Sequence, residues 1–206
     1  MGKTLKTTCK MCRREGVTLC GKEKCALKRR SAPPGVHGPA QALRRPRLSS
    51  YGVQLREKQK AKRLYNVMER QFRRYFEAAS LKKGNTADFL VQTLERRLDN
   101  VVFRLGFAKT RRQARQMVNH GFITVNGVDV NIPSFTVRVD EVIGFKESKK
   151  TKGLLNGLQE RLQKTEAPRW LSLDAAMFTG KVTSLPEGED LKSVFDPTLI
   201  VEFYSR

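Results

Sequence analysis

Acidic side chains are scarce in this sequence: 20 Asp and Glu stand against 41 Lys and Arg, for a formal net charge of +21. An excess of that size opposes compaction unless an anion offsets it, so the composition points to a polyanionic partner. Residues 1–80 carry 21 basic and 5 acidic side chains, residues 81–160 carry 14 and 8, and residues 161–206 carry 6 and 7. The partner is therefore expected against the first two thirds of the chain. Histidine is also sparse, with only His37 and His120, and all four cysteines lie within the first 25 positions. Asp129 and Asp174 have no convincing partner, so no constellation of acid, base and nucleophile emerges, and an enzyme is not expected. Long apolar runs are missing too. Nothing is long enough to cross a bilayer, and the start, MGKTLKTTCKMCRREG, lacks the apolar centre of a signal peptide; a cytoplasmic protein with no membrane partner is expected.

What is present is a periodic apolar pattern, 39% of residues, enough for a core and one or two domains. The stretch KTRRQARQMVNHGFITVNG, Lys109 to Gly127, organises the rest. Thr110 can cap a helix of about three turns and Gly121 can end it in the left-handed conformation. Ala114, Met117 and Val118 share one side, leaving Arg111, Arg112, Arg115, Gln116 and Asn119 over the remainder. The alternation Phe122–Val125, the pair Asn126-Gly127 and the return Val128–Val130 predict a hairpin with a tight turn. Guanidinium groups fanned from a short rigid helix suit phosphate oxygens, so Lys109, Thr110, Arg111, Arg112, Gln113, Arg115, Gln116, Asn119, His120 and Asn126 are candidate RNA contacts.

The cysteines follow C-x2-C-x7-C-x4-C as Cys9, Cys12, Cys20 and Cys25. Four thiolates so close in sequence can converge on one tetrahedral zinc ion, which would order a segment too polar to build a core; an iron–sulfur cluster uses the same ligands. Arg13 and Arg14 beside them offset thiolate charge and are candidate RNA contacts. Next comes a proline- and glycine-punctuated basic stretch expected to be an extended arm, with Arg29, Arg30, Arg44, Arg45 and Arg47 facing RNA.

Ser50 to Ser80 reads as helix, with Leu64, Val67, Met68, Phe72, Tyr75, Phe76 and Ala79 as its buried stripe. Tyr51, Arg56, Lys58, Lys60, Arg63, Arg70, Arg73 and Arg74 complete the candidate RNA contacts. A second helix, from Thr86 to Gly106, carries Phe89, Leu90, Leu94, Leu98, Val101, Val102 and Leu105. Beyond the hairpin, Thr136–Val139 and Val142–Phe145 read as two strands about a turn, and Leu154 to Gln163 as a short helix. In the near-neutral tail Trp170, Leu171 and Leu173 look buried, Gly180–Val182 starts a strand, and Leu199–Tyr204 is expected as a closing strand or docked end.

The run Arg97 to Val130 resembles the RNA-binding domain named after small ribosomal subunit protein four, a module also found in pseudouridine synthases, bacterial tyrosyl-tRNA synthetases and a ribosome-binding heat-shock protein. Outside it, CKMCRREG, PPGVHG, YGVQLREKQKAKRLYNVMERQFRRYF, WLSLD, GKV and LIVEFYSR resemble bacterial members of the protein-four family, in family order. That resemblance implies an α+β fold: a mostly helical RNA-binding domain with a zinc-bearing N-terminal arm, plus an inserted small α/β RNA-binding domain, the C-terminal strand returning to the first. The divisions implied are 1–49 for the cysteine segment and arm, 50–95 for the helical domain, 96–163 for the inserted helix-turn-helix and hairpin, and 164–206 for the returning segment. It further implies a structural protein of the small ribosomal subunit. Such a protein binds 16S-type ribosomal RNA, nucleates assembly of the subunit body and supports translational accuracy, with neighbours five and twelve and the path along which messenger RNA enters. An RNA-modifying enzyme or a free ribosome-associated factor is the alternative user of the same module.

Overall fold

A computed structural model describes residues 8–43, 47–150, 157–163 and 165–206. The chain divides into two compact units, Met1–Val91 with Ser193–Arg206, and Gln92–Lys192.

In the first unit, helix α1 (Cys9–Glu15) ends at Gly16, whose φ of +71° places it in the left-handed region that glycine enters without steric cost. The proline-rich arm is not extended throughout: it holds a 3-10 turn (Ala26–Lys28) and a short helix α2 (Gly38–Leu43). Pro39 sits in the first turn of α2, where its missing N–H has no intrahelical partner to lose. A Cβ at Gly38 would lie 1.9 Å from the Pro33 carbonyl oxygen, so the fold of the arm demands glycine there.

The helix expected over 50–80 is two helices, α3 (Ser50–Tyr65) and α4 (Glu69–Ser80). Ser49 caps α3, its hydroxyl accepting from the Gly52 amide at 3.2 Å, and Asn66 stops it at φ +55°. Asparagine tolerates that conformation, which the helical periodicity of its neighbours conceals. The stripe residues Leu64, Val67, Phe72 and Ala79 are buried, whereas Met68 falls in the break and is 36% exposed.

The C-terminal segment is a helix, α10 (Pro197–Tyr204), not a strand. Asp196 caps it through the Thr198 amide at 2.8 Å, and Pro197 at the first position has φ already set for a helix. α10 lies along α3: Gln54 Nε2 donates to Glu202 Oε2 at 2.8 Å, and the Tyr51 and Phe203 rings are 5.5 Å apart. The Tyr204 ring stacks on Phe76 at 4.7 Å, and its hydroxyl donates to Glu69 Oε1 at 2.7 Å.

Glu69 gathers three donors. Burial opposes its ionisation, but Lys62, Tyr204 and Lys58 outweigh that and hold its carboxyl down at about 2. A carboxylate depressed in the folded state stabilises the fold above its ordinary pKa near 4.5 and loses that contribution as pH falls toward 2. Denaturant unfolding of wild type and Glu69→Gln should therefore differ most above about pH 5 and draw together as pH falls below about 4, converging only below about 2; a constant difference would refute the linkage.

The second unit contains α6 (Leu98–Arg104), α7 (Arg111–Asn119), α8 (Glu147–Lys150), α9 (Leu158–Gln163) and a five-stranded antiparallel sheet. The strands β1 (Ile123–Val125), β2 (Val128–Asp129), β3 (Val142–Phe145), β4 (Leu171–Asp174) and β5 (Thr179–Val182) follow the order β2-β1-β3-β5-β4. Asn126 and Gly127, at φ +50° and +79°, make the tight turn between β1 and β2 that their types favour.

The helix expected from Thr86 to Gly106 also breaks, into α5 (Thr86–Glu95) and α6. Arg97 is extended, and the first amides of α6 are satisfied from elsewhere: Leu98 N donates to Phe135 O and Asp99 N to Pro133 O. The same connector takes up Thr136–Val139, which forms only a bridge at Thr136 to Arg97, while the Val137 amide donates to Arg96 O at 2.9 Å. The expected pair of strands therefore reduces to β3, whose partners are β1 and β5.

Residues 165–192 stay with this unit, so the return to the first unit begins at Ser193 rather than at 164. β4 and β5 extend the sheet, and Trp170, 1% exposed, lies in one apolar core with Leu98, Leu105, Phe107, Met117, Ile143 and Phe145. A Cβ at Gly180 would come within 2.5 Å of the Leu105 side chain, so β5 needs glycine to approach α6 closely.

Candidate nucleic-acid interface and cysteine centre

The cysteines converge. α1 carries Cys9 and Cys12 one turn apart, while Cys20 and Cys25 come from the chain that folds back beside it. The Sγ atoms of Cys9, Cys20 and Cys25 lie within 4.8 Å of one another, while Cys12, one turn along α1 from Cys9, is not part of that group. Cys12, Cys20 and Cys25 are buried. Burial pushes the Cys20 thiol up to about 12. Burial acts the same way on Cys25, yet the Leu27 amide and the thiols of Cys20, Cys12 and Cys9 hold it below its ordinary value. The Leu19 amide, 3.4 Å from Cys12 Sγ, donates to that sulfur as well. Three soft donors gathered from one short segment, with amides supplied to sulfur, fit a thiophilic metal ion.

Around this centre the cations differ in what they do. Arg13 folds inward, Nε donating to Ala32 O at 2.8 Å and Nη2 to Pro33 O at 3.1 Å. Arg63 pairs with Glu15 and so ties α3 to α1. Arg14, Arg29, Arg30 and Arg47 are exposed; Arg44 and Arg45 lie outside the described residues.

On α3 and α4, Tyr51, Arg56, Arg70, Arg73 and Arg74 are exposed, with Arg56 Nη1 reaching Arg14 O at 3.3 Å and Arg73 Nε 3.1 Å from Glu77. Lys60 is paired with Glu57 at 2.5 Å. Lys58 is buried. Its ammonium is 3.0 Å from Glu69 and 4.1 Å above the Phe203 ring, so it serves the α3–α10 contact, where helical periodicity alone put it among outward cations.

On the second unit α7 forms as its sequence indicates. The Thr110 hydroxyl accepts from the Gln113 amide at 3.2 Å and Gln113 Oε1 accepts from the Lys109 amide at 2.9 Å, so both polar side chains cap the helix reciprocally. Ala114, Met117 and Val118 are buried. Lys109, Arg112, Gln116, Asn119 and His120 are exposed. Asn126 is exposed too, but its Oδ1 accepts from the Val142 amide at 2.8 Å and staples the hairpin to β3. Arg111 and Arg115 are half-buried and held by groups the sequence reading passed over. Arg111 Nε donates to Asn100 Oδ1 at 2.8 Å with its guanidinium 4.5 Å from the Phe103 ring centre, and Arg115 Nη1 lies 3.2 Å from Asp99 Oδ2. The available signal was Glu95, Asp99 and Asn100, acidic and amide side chains set in an otherwise basic and apolar run.

Residues 3–95 match the family described as "Ribosomal protein S4/S9 N-terminal domain", and residues 96–143 match the "S4 domain". The chain is 46% identical to small ribosomal subunit protein uS4 of Syntrophomonas wolfei, across 100% of both chains. It is 53% identical to uS4 of Chloroflexus aurantiacus across 96% of each, and 49% identical to uS4 of Caldicellulosiruptor saccharolyticus across 100% of each. With two matching domains in succession and likeness along the full length, the chain belongs to the small ribosomal subunit protein uS4 family.

Proposed function

We propose that this protein is a structural constituent of the small ribosomal subunit that binds the subunit's ribosomal RNA through both of its units, nucleates assembly of the subunit body and contributes to translational accuracy. The observation that carries this reading is the full-length likeness to uS4 proteins; the family is one of structural proteins, and the chain is not an enzyme. The surfaces support it. Exposed Arg14, Arg29, Arg30, Arg47, Arg56, Arg70 and Arg74 on the first unit, and Lys109 and Arg112 with Gln116, Asn119 and His120 on the second, offer cations and donors to phosphate. RNA helices hide their base edges in a deep groove, so a folded junction is gripped through its backbone, and charge on rigid helices suits that task.

The reading extends to the cytoplasmic ribosome as its location, to proteins five and twelve as neighbours, and to the path along which messenger RNA enters. Cys9, Cys12, Cys20 and Cys25 would hold one zinc ion, whose chemistry is structural: it cross-links the arm.

Sedimentation of a cell extract through sucrose at low and high salt tests the assignment, with the protein quantified by mass spectrometry across the gradient. Adsorbed basic proteins wash off steeply with salt because their affinity is counterion release. One copy per small subunit retained at high salt is expected. Release to the top of the gradient, or far less than one copy, would overturn the reading in favour of a free factor using the same module.

A further inference from the structure

Two neighbouring residues at the start of α6 reach two arginines one turn apart on α7. Asp99 faces Arg115 at 3.2 Å, and Asn100 accepts from Arg111 Nε at 2.8 Å. Arg111 and Arg115 are i and i+4, so they share one face. Each holder is itself held. Arg97, wholly buried, grips Asp99 with Nε at 3.1 Å and Nη2 at 2.8 Å. Asn100 Nδ2 donates to Glu95 O at 2.9 Å and to Glu95 Oε2 at 2.8 Å, and Arg104 clamps Glu95 with two bonds of 2.8 and 2.9 Å.

We propose that Asp99 and Asn100 are positioning residues for RNA: they fix the Arg115 and Arg111 guanidinium groups in advance as a paired phosphate-binding surface on α7. The inference rests on the RNA-binding reading above and deepens it. Charge does not defeat it, because Asp99 is shared between Arg97 and Arg115, and that group of three keeps one positive charge. Geometry supports it. A long arginine free in water loses rotamer entropy on binding, whereas Arg111, held at Nε and lying against the Phe103 ring at 4.5 Å, has already lost much of it. Exposed Arg112, the next residue on α7 but on a different face, provides an internal contrast.

The test uses the full-length chain and small-subunit ribosomal RNA transcribed in vitro, with Kd measured across a salt series. Arg115→Ala should weaken binding roughly tenfold, the scale of one charge-assisted hydrogen bond, and lower the salt slope by about one. Asp99→Asn keeps every cation, yet should weaken binding several-fold in the wild type and add nothing in the Arg115→Ala background. Full additivity, or an Asp99→Asn protein that binds like wild type, would overturn the proposal. If Arg115→Ala and Arg111→Ala both leave Kd and slope unchanged, the RNA-binding reading of α7 fails instead. Should Asp99→Asn unfold in a thermal melt, wild-type protein still decides by NMR: the Arg111 Nε–Hε order parameter should approach the rigid value of about 0.85, with Arg112 below about 0.6. Equal, low values for both would overturn the proposal.

Discussion

Deletion of Ser193–Arg206 is expected to unfold the first unit and leave the sheet of the second intact. The segment is short, but it buries Phe195 and Ile200 at 4% and 0% exposure and places the Phe203 and Tyr204 rings against α3 and α4. Tyr65 meets Phe195 edge-on at 6.2 Å. Removal of a buried Phe or Ile side chain alone costs about 2–5 kcal/mol, so loss of the whole segment is on the order of 10 kcal/mol, as large as the total stability of a typical domain. Lys58 would in addition lose the ring that covers its ammonium. The second unit has its own core from Leu98 to Val182 and should not respond. In a two-dimensional amide NMR spectrum, dispersed signals from α3 and α4 should collapse while those of β1–β5 persist. Ile200→Ala, about 2–5 kcal/mol, should shift the unfolding midpoint in the same direction without abolishing the fold. A truncated chain whose α3 and α4 signals keep their dispersion would refute this account of the α3–α10 contact.

Cys25→Ser is expected to free the arm. Cys25 is 1% exposed and its sulfur lies within 4.8 Å of those of Cys9 and Cys20. If one zinc ion holds the four thiolates, its binding energy is folding energy, about 10–16 kcal/mol in small zinc modules. Few apolar side chains support the segment otherwise: outside the cysteines only Leu19 is buried there among described residues. Loss of a ligand should therefore release the metal, measured by elemental mass spectrometry, and open residues 8–30 to limited proteolysis while the Gln92–Lys192 unit stays protected. Zinc at one equivalent in wild type, with a colourless protein, distinguishes this from an iron–sulfur cluster, which absorbs visible light. Metal-free wild-type protein with an equally protected arm would refute the metal reading.

Much of the candidate interface was legible because its determinants are local. Thr110, the apolar positions Ala114, Met117 and Val118, and the Asn126-Gly127 turn each act within a few residues, and α7 and the hairpin form where they indicate. The cysteine spacing likewise anticipates the convergence of Cys9, Cys20 and Cys25, three of the four thiols it named. Where the structure departs from the sequence pattern, one cause recurs. Periodicity runs unbroken through Asn66 and Arg97, so it does not register that Asn66 adopts a left-handed conformation or that the amides after Arg97 bond to residues 133–135. Lys58 sits among outward cations in sequence; only the arrival of Phe203 makes its position an interior one.

By itself, then, the sequence determined the charge that calls for a polyanion, the approach of Cys9, Cys20 and Cys25, the capped basic helix and its hairpin, since propensity, caps and spacing act over short stretches. Tertiary structure alone decided that the C-terminus docks as helix α10, that β4 and β5 complete the sheet, and which cations are held inward. Those outcomes depend on pairs remote in sequence, such as Gln54 with Glu202, 148 positions apart, whose meeting depends on the packing of the whole unit. Asp99 and Asn100 belong to the same class: their residue types are plain in the sequence, but their work on Arg115 and Arg111 exists only where α6 lies against α7.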